Sequence, residues 1–324
     1  MIRFATMNDI PNIMKFIDKY WRKNHIMSRD MVLFEFQHKW DKEISFVISE
    51  TDRKITGLLG YIPYATSDRD VTLAIWKTNK TTDTMQGINI LSFLRKNGDV
   101  HTISAPGINP KTISIYKFLG MNTGMMQHWY RLRPVSEYKI AKVINYNIPK
   151  CKISTSIVIT EIPNYNNAIE VFGLNDCLVR NKQLYKSEAF IKRRYFSHPS
   201  FEYLKYGLID NDKKLFIVMR IQKYNESAIL RIIDCLGDHE LLPYFTSKID
   251  DLMSKYNCEY ADCYETGVSY DTFIEGGWQE VTPSGNIMPD YFAPFEQRNI
   301  NIYYMSEIPG VSLFKGDGDM DRPN

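Results

Sequence analysis

The chain has 324 residues, of which 44% are hydrophobic and 24% charged, and its formal net charge is +2 at pH 7. This composition is typical of a soluble globular protein, and the length predicts two domains rather than one. The chain contains no long uninterrupted apolar run and no N-terminal signal pattern. We therefore expect a cytoplasmic protein without membrane insertion.

The first 133 residues predict a mixed α/β unit. A short strand, IRFA, precedes an amphipathic helix that begins near Thr6 and Asp9, and a second helix begins at Ser28. Alternating apolar residues and turn residues then predict three strands, a helix, a strand, a helix and a final strand. These segments are 45–50, 54–65, 71–76, a helix containing Ile88, 100–106, 109–121 and 124–132.

Residues 134–152 read as a connector, because they contain two prolines and many polar groups. Residues 153–324 then repeat part of the first pattern without any literal sequence repeat. The predicted elements are a helix over 182–196, strands over 202–210, 214–224 and 228–236, a helix over 239–256, a strand over 259–265 and a helix over 269–278. The sequence thus predicts an α/β fold of two units, each a central mixed sheet flanked by helices.

The segment Asn109–Met121, NPKTISIYKFLGM, predicts a short capped helix. Asn109 is a suitable N-cap, and Gly120 stands where a left-handed C-cap belongs. Tyr116 falls on the apolar face together with Ile113, Phe118 and Leu119. On periodicity alone, Tyr116 is a core tyrosine whose hydroxyl finds a local hydrogen-bond partner.

This segment and the opening IRFATMNDIPNIMKFI resemble the GNAT superfamily of acyl-CoA-dependent N-acyltransferases. The resemblance covers residues 1–133 and identifies them as an acyl-CoA-binding domain. It implies that Tyr116 is the general acid that protonates the departing thiolate, and that Asn109 holds the pantetheine arm or the surroundings of the tyrosine. A phenol suits that role, because aminolysis of a thioester needs a protonated leaving sulfur.

The resemblance also implies a pyrophosphate loop at TDTMQGIN, Thr82–Asn89. Gly87 matches the family pattern, whereas Thr84 replaces its basic or amide residue and Asn89 its last small residue. Backbone N–H groups at a helix start can still bind phosphates, and a plain loop with a helix cap is the alternative. The implied contacts to acyl-CoA, with no metal, are Trp76, Met85, Gln86, Gly87, Ile88, Asn89, Asn109 and Lys117.

Two such units in one chain resemble the family members that acylate amino sugars on nucleotide carriers. The second unit, 153–324, then resembles a degenerate copy that binds substrate, because no glycine-rich loop follows its strand 228–236. The implied substrate is a dTDP- or UDP-linked amino deoxysugar, and the acyl group is acetyl or a hydroxyacyl such as 3-hydroxybutyryl. His25 is a candidate base, and the candidate substrate ligands are Arg29, Asp234 and Tyr291.

Several alternatives stay open. Asp68 and Asp70 only precede the fourth strand, so the amine could also lose its proton to solvent. An aminoacyl-tRNA-dependent cell-wall transferase would need a larger basic surface than a net charge of +2 and no long Lys/Arg cluster provide, so no nucleic-acid partner is expected. A non-enzymatic binding module and a homo-oligomer are also compatible with the sequence.

The cysteines and the C-terminus complete the expectations. The five cysteines all lie after residue 150, without a CxxC pair, so we expect free structural thiols and no zinc site. The ending LFKGDGDMDRPN lacks the glycine and glutamate of a calcium loop. It predicts a mobile acidic tail, and the alternative is a tail that folds over the cleft or over a neighbouring subunit.

Overall fold

A computed structural model describes residues 1–79, 85–152, 156–180 and 182–323 of the chain. These residues form two eight-stranded sheets with helices packed against them. Each sheet is mixed, so the predicted α/β architecture of two units is confirmed. Within these ranges, no helix combines the length and the apolar character that crossing a membrane requires.

The strands and helices have the following bounds. The strands are β1 Ile2–Ala5, β2 Lys39–Trp40, β3 Glu43–Thr51, β4 Lys54–Pro63, β5 Arg69–Thr78, β6 Val100–Ile108, β7 Asn122–Met125, β8 Gln127–Leu132, β9 Val158–Glu161, β10 Leu204–Asp210, β11 Lys213–Tyr224, β12 Ser227–Gly237, β13 Cys258–Thr266, β14 Gln279–Glu280, β15 Tyr303–Ser306 and β16 Leu313–Phe314. The α-helices are α1 Ile10–Phe16, α2 Ile26–Arg29, α3 Met31–His38, α4 Gln86–Asn97, α5 Ile113–Phe118, α6 Glu188–Ile191, α7 Thr246–Lys255, α8 Tyr270–Glu275 and α9 Val281–Ser284.

The two sheets have the same strand order. The first runs β1-β3-β4-β5-β6-β15-β7 with β2 beside β3, and the second runs β9-β10-β11-β12-β13-β8-β14 with β16 beside β13. Each sheet contains one parallel pair, β5 with β6 and β12 with β13, and all its other pairs are antiparallel. This shared topology supports the duplication that the element order suggested.

The two halves exchange strands. β15 comes from near the end of the chain and lies between β6 and β7 in the first sheet. β8 comes from the first half and lies between β13 and β14 in the second sheet. The prediction of one strand over 124–132 was therefore wrong, because the chain changes sheets at the buried residue Met126. The domain boundaries at residues 133 and 153 remain a prediction, and each sheet takes a strand from across them.

Two other local predictions were wrong. The helix over 182–196 begins only at Glu188, because Gln183 pairs with Ser312 and the Tyr185 backbone N–H donates to a carboxylate of the first half. Phe118 is 79% exposed rather than buried. The five cysteines are free, as predicted, and four of them are buried.

The C-terminal tail, defined here as residues 313–323, is folded and not mobile. Asp317 and Asp321 are each only 1% exposed. Asp317 accepts a hydrogen bond from the Tyr64 hydroxyl at 3.0 Å, and Asp321 accepts one from the Tyr203 hydroxyl at 2.7 Å. The aspartates are buried because each has charged or hydroxyl partners. Lys315, Asp319, Met320 and Arg322 of the tail line the cavity between the two sheets, which agrees with the alternative expectation of a tail that folds over the cleft.

The exchanged strand β15 gives a stability prediction. Met305 of β15 is fully buried against the helix side of the first sheet, whereas Met125 of the neighbouring β7 is 45% exposed. We expect Met305→Ala to lower the free energy of unfolding by about 2–5 kcal/mol, since it leaves a cavity. Met125→Ala, the matched control, should change it by about 0.5 kcal/mol or less. Urea unfolding monitored by circular dichroism measures both free energies. Equal losses in the two variants would contradict the burial of β15 in the first sheet.

Candidate active site

The parallel strands β5 and β6 separate midway along their length. They are paired from Arg69–Val100 to Thr72–Ser104, and the pairing ends there although β5 continues to Thr78 and β6 to Ile108. Backbone N–H and C=O groups on the facing edges therefore point into an opening and not at a partner strand. This opening can accept an extended ligand by adding hydrogen bonds to a strand edge.

The opening belongs to a cavity of about 540 Å³ between the two sheets, which we call the central cleft. Its first wall consists of β5, β6 and the start of the segment that contains α5. Its second wall consists of β11, β12, residues 290–292 and 300–303, and the C-terminal tail. A volume of this size is in the range of small-molecule sites in proteins.

Tyr116 lies on the first wall of the central cleft. It is 3% exposed, and its ring centroid lies 5.5 Å from that of Trp76, which also lines the cleft. Its hydroxyl makes no hydrogen bond to any residue that the structure describes, so it lacks the local partner expected of a core tyrosine. Burial raises the pKa of this hydroxyl well above its ordinary value of 10, and the phenol therefore stays protonated at neutral pH.

The caps of the Tyr116 helix match the sequence prediction. The Asn109 side-chain oxygen accepts a hydrogen bond from the Lys111 N–H at 3.0 Å, and Gly120 has a φ of +79°. Asn109 also lines the central cleft. Lys117, in contrast, is exposed and does not line the cleft.

The start of α4 approaches the cleft through Gly87. A Cβ atom added to Gly87 would lie 3.4 Å from the Trp76 ring, so the start of the helix lies against this aromatic ring. The Gln86 side chain points away, because it donates to Ser49 Oγ at 3.0 Å and Thr56 Oγ1 at 2.7 Å. Gln86 thus fixes α4 to the sheet. The backbone N–H groups in the first turn of α4 are the groups that could bind a phosphate.

The rest of the predicted phosphate segment is peripheral or undescribed. Met85 and Asn89 are exposed and Ile88 is half-buried, and none of the three lines the central cleft. Residues 80–84, which include Thr84, lie outside the described residues.

His25 supports the C-terminal tail rather than facing the cleft. It is 4% exposed, and its Nε2 accepts a hydrogen bond from Arg322 at 3.1 Å. Burial, together with the positive charge of Arg322, lowers its pKa to about 4, so it is neutral near pH 7. Arg29, at the end of α2, is exposed and does not line the cleft. The geometry gives His25 a role in holding Arg322, which does line the cleft.

The two predicted ligands from the second half lie in different places. Tyr291 lines the central cleft and is 42% exposed. Asp234 is fully buried outside the cleft lining, where it accepts from Lys186 at 2.5 Å and from the Tyr195 hydroxyl at 2.6 Å. Asp234 therefore contributes to a buried ionic cluster between the halves.

The carboxylates considered as bases also differ from expectation. β5 begins at Arg69, so Asp70 lies within the strand rather than before it. Asp70 is fully buried and accepts from the Tyr185 backbone N–H at 2.7 Å. Asp68 precedes the strand and pairs with Arg180. Neither carboxylate lines the central cleft.

Sequence reasoning missed most of the charged lining of the cleft. These residues are Lys77, Arg220, Arg231, Asp290, Lys315, Asp319 and Arg322. Arg231 is buried and binds Asp262 through two hydrogen bonds, of 2.8 and 2.6 Å. A charged residue in the middle of the apolar run AILRIIDCL was the available signal, because an arginine is rarely buried without a partner.

The second sheet has an equivalent opening, and the C-terminal tail fills it. Pairing of β12 with β13 ends at Ile232–Cys263. Leu313 and Phe314 then pair with β13, and the Gly316 N–H donates to the Ile233 carbonyl of β12 at 2.7 Å. The opening of the first sheet is therefore the one available to a ligand. Among the described residues, no group of three or more His, Cys, Asp or Glu side chains could hold a metal ion.

Comparison with known structures identifies the fold. This chain is similar to the structure of a GCN5-related N-acetyltransferase from Anabaena variabilis ATCC 29413, with a TM-score of 0.58 and 14% sequence identity. The alignment covers 94% of this chain and 72% of that protein's chain. A conserved protein of unknown function from Enterococcus faecalis V583, titled a probable N-acyltransferase, matches over the same shares with a TM-score of 0.55 and 11% identity. No protein-family model and no curated protein sequence matches the chain. The likeness shows that the chain has the GNAT fold.

His25 predicts a loss of stability in acid. Its pKa is about 4 in the folded chain against an ordinary 6.5, so the unfolded chain binds the proton first as the pH falls. This group alone should therefore lower the free energy of unfolding by up to about 1.4 kcal/mol per pH unit below about pH 6.5, until about pH 4. We expect His25→Gln to show a shallower decline than the wild type in urea unfolding between pH 6.5 and 4.5. Parallel declines would contradict the prediction.

Proposed function

We propose that the protein is an acyl-CoA-dependent N-acyltransferase. Acyl-CoA would bind in the opening between β5 and β6, and the amine acceptor would enter the central cleft from the side of the second sheet. The observation that carries the proposal is the separation of these strands beside Tyr116, a buried phenol without a hydrogen bond to any described residue. The GNAT fold supports it.

The residues around the opening fit the co-substrate. The free edge of β5 after Thr72 offers backbone hydrogen bonds to the amide groups of a pantetheine arm. The first turn of α4 offers N–H groups to phosphates, and Gly87 keeps that turn free of a Cβ next to Trp76. Because these contacts use backbone atoms, they do not depend on the side chains in which the loop differs from the family pattern.

The chemistry assigns one role to a side chain. Acyl-CoA supplies the acyl group as a thioester, whose carbonyl carbon the unprotonated amine attacks. The C–N bond forms and the C–S bond breaks, and the Tyr116 hydroxyl passes its proton to the leaving sulfur. Burial raises the pKa of Tyr116, so the phenol is protonated in the resting site and can donate a hydrogen bond to the sulfur as charge develops there. The amine's own proton goes to solvent or to an acidic residue of the cleft.

For the acceptor, we propose a nucleotide-linked amino deoxysugar, with acetyl or a longer hydroxyacyl as the acyl group. The cavity of about 540 Å³ leaves room for more than a small amine. Its second wall offers the rings of Tyr291 and Phe292 for stacking on a base, and the side chain of Asn301 for hydrogen bonds.

Replacing Tyr116 tests the proposed role. We expect Tyr116→Phe to lower kcat by about 100-fold or more while the Kd for acetyl-CoA changes by less than about threefold, because only the proton donor is lost. Acyl-CoA thioesters of several lengths, crossed with a panel of amines that includes nucleotide amino sugars, would report turnover by thiol release. Tyr146→Phe, at a residue that is 59% exposed, is the control. Unchanged turnover of Tyr116→Phe would remove the residue from the mechanism.

The filled opening of the second sheet predicts the binding stoichiometry. Since the C-terminal tail occupies the place equivalent to the proposed acyl-CoA site, the chain should bind one acetyl-CoA and not two. Isothermal titration calorimetry of the full chain measures this number. Two equivalent sites would contradict the assignment, and no binding by folded protein would favour a non-enzymatic module.

A further inference from the structure

The C-terminal tail connects the filled opening of the second sheet to the open one of the first. After Gly316 it leaves β12 and crosses the central cleft. A Cβ added to Gly318 would lie 3.5 Å from the Pro106 ring and 3.6 Å from Thr72 Oγ1. A Cβ added to Gly107 would lie 3.2 Å from the Met320 sulfur. Asp319, between Gly318 and Met320, is therefore held at the point where β5 and β6 separate.

The neighbours of Asp319 fix the tail in this position. Asp317, two residues before it, accepts hydrogen bonds from Tyr64 and Phe314 and lies 3.0 Å from Lys186 Nζ. Asp321, two residues after it, accepts from Arg220 at 2.6 Å. Both flanking carboxylates are thus fully engaged in holding the tail, whereas Asp319 itself lines the cleft.

Two acidic residues line the cleft, Asp290 and Asp319, and they differ in how many cationic partners their carboxylates have. Asp290 is paired with Arg231 at 3.0 Å and with Lys315. Asp319 Oδ2 accepts one long hydrogen bond, of 3.2 Å, from the Arg322 side chain. Within the described ranges, Asp319 Oδ1 accepts no hydrogen bond. The side chain is 15% exposed, and the residue lines the cavity. A carboxylate oxygen in this position is a suitable partner for a cation that enters the cleft.

We infer that Asp319 is the amine-binding residue of the central cleft and pairs with the ammonium form of the acceptor. This inference rests on the proposed function and extends it, because it assigns the acceptor amine to the C-terminal tail. Asp319 and Tyr116 line the same cavity, so the proposed leaving-group acid and the proposed amine-binding carboxylate share one site. Arg322, held by His25, orients the carboxylate.

A pair of coenzyme A thioethers tests this without knowledge of the acceptor. S-(3-aminopropyl)-CoA ends in an ammonium group where S-butyl-CoA, of equal length, ends in a methyl group. We expect the wild-type chain to bind the amino compound at least about tenfold more tightly, because a charge-assisted hydrogen bond forms with Asp319. In Asp319→Asn the two Kd values should come within about twofold of each other, and Asp319→Glu should restore part of the difference.

The controls separate this inference from the proposed function. Binding of S-butyl-CoA by Asp319→Asn at the wild-type Kd shows that the variant is folded, and Asp251→Asn, at an exposed residue of α7, should keep the full preference. Equal Kd values for the two thioethers in the wild type, or an unchanged preference in Asp319→Asn, would overturn the inference even though coenzyme A binds. If the wild type binds neither thioether nor acetyl-CoA, the proposed function fails, and the inference with it.

Discussion

The exchange of strands between the two sheets is the constraint on which the rest of the structure depends. β15 cannot leave the first sheet without breaking its pairing with both β6 and β7, and β8 holds the same position between β13 and β14 in the second sheet. Each half therefore completes the other, and the cleft between them has fixed walls. Were the units joined by a connector alone, relative motion of the two would be the default expectation.

A buried ionic cluster reinforces this arrangement at the junction. Lys186, 3% exposed, lies between Asp234 and Asp317, and Tyr64 of the first half donates to Asp317. Such a cluster is weak evidence for stability as a whole, but removing one partner leaves a buried charge uncompensated, which typically costs about 3–5 kcal/mol. Its consequence here is positional, because it fixes the tail that carries Asp319 into the cleft.

Local sequence patterns predicted most of the fold and only part of the site. The capped helix around Tyr116 depends on near neighbours, so Asn109 and Gly120 were sufficient to predict it. β15 was missed because its partners lie about 180 residues away in β7 and about 200 in β6, and four residues give no periodic signal. Asp234 was assigned to the substrate, and its buried partner Lys186 could not be foreseen from the sequence. The tail was expected to be mobile as a chain end, because the cations that neutralise its aspartates, Lys186 and Arg220, are distant in the sequence.

The central claim is that the opening between β5 and β6 holds a thioester beside Tyr116. A crystal structure of the protein with a non-hydrolysable acetyl-CoA analogue tests it most directly. The account predicts that the pantetheine arm lies along β5 and that the sulfur position lies within about 3.5 Å of the Tyr116 hydroxyl oxygen. An analogue bound elsewhere, or a sulfur position remote from that hydroxyl, would contradict it.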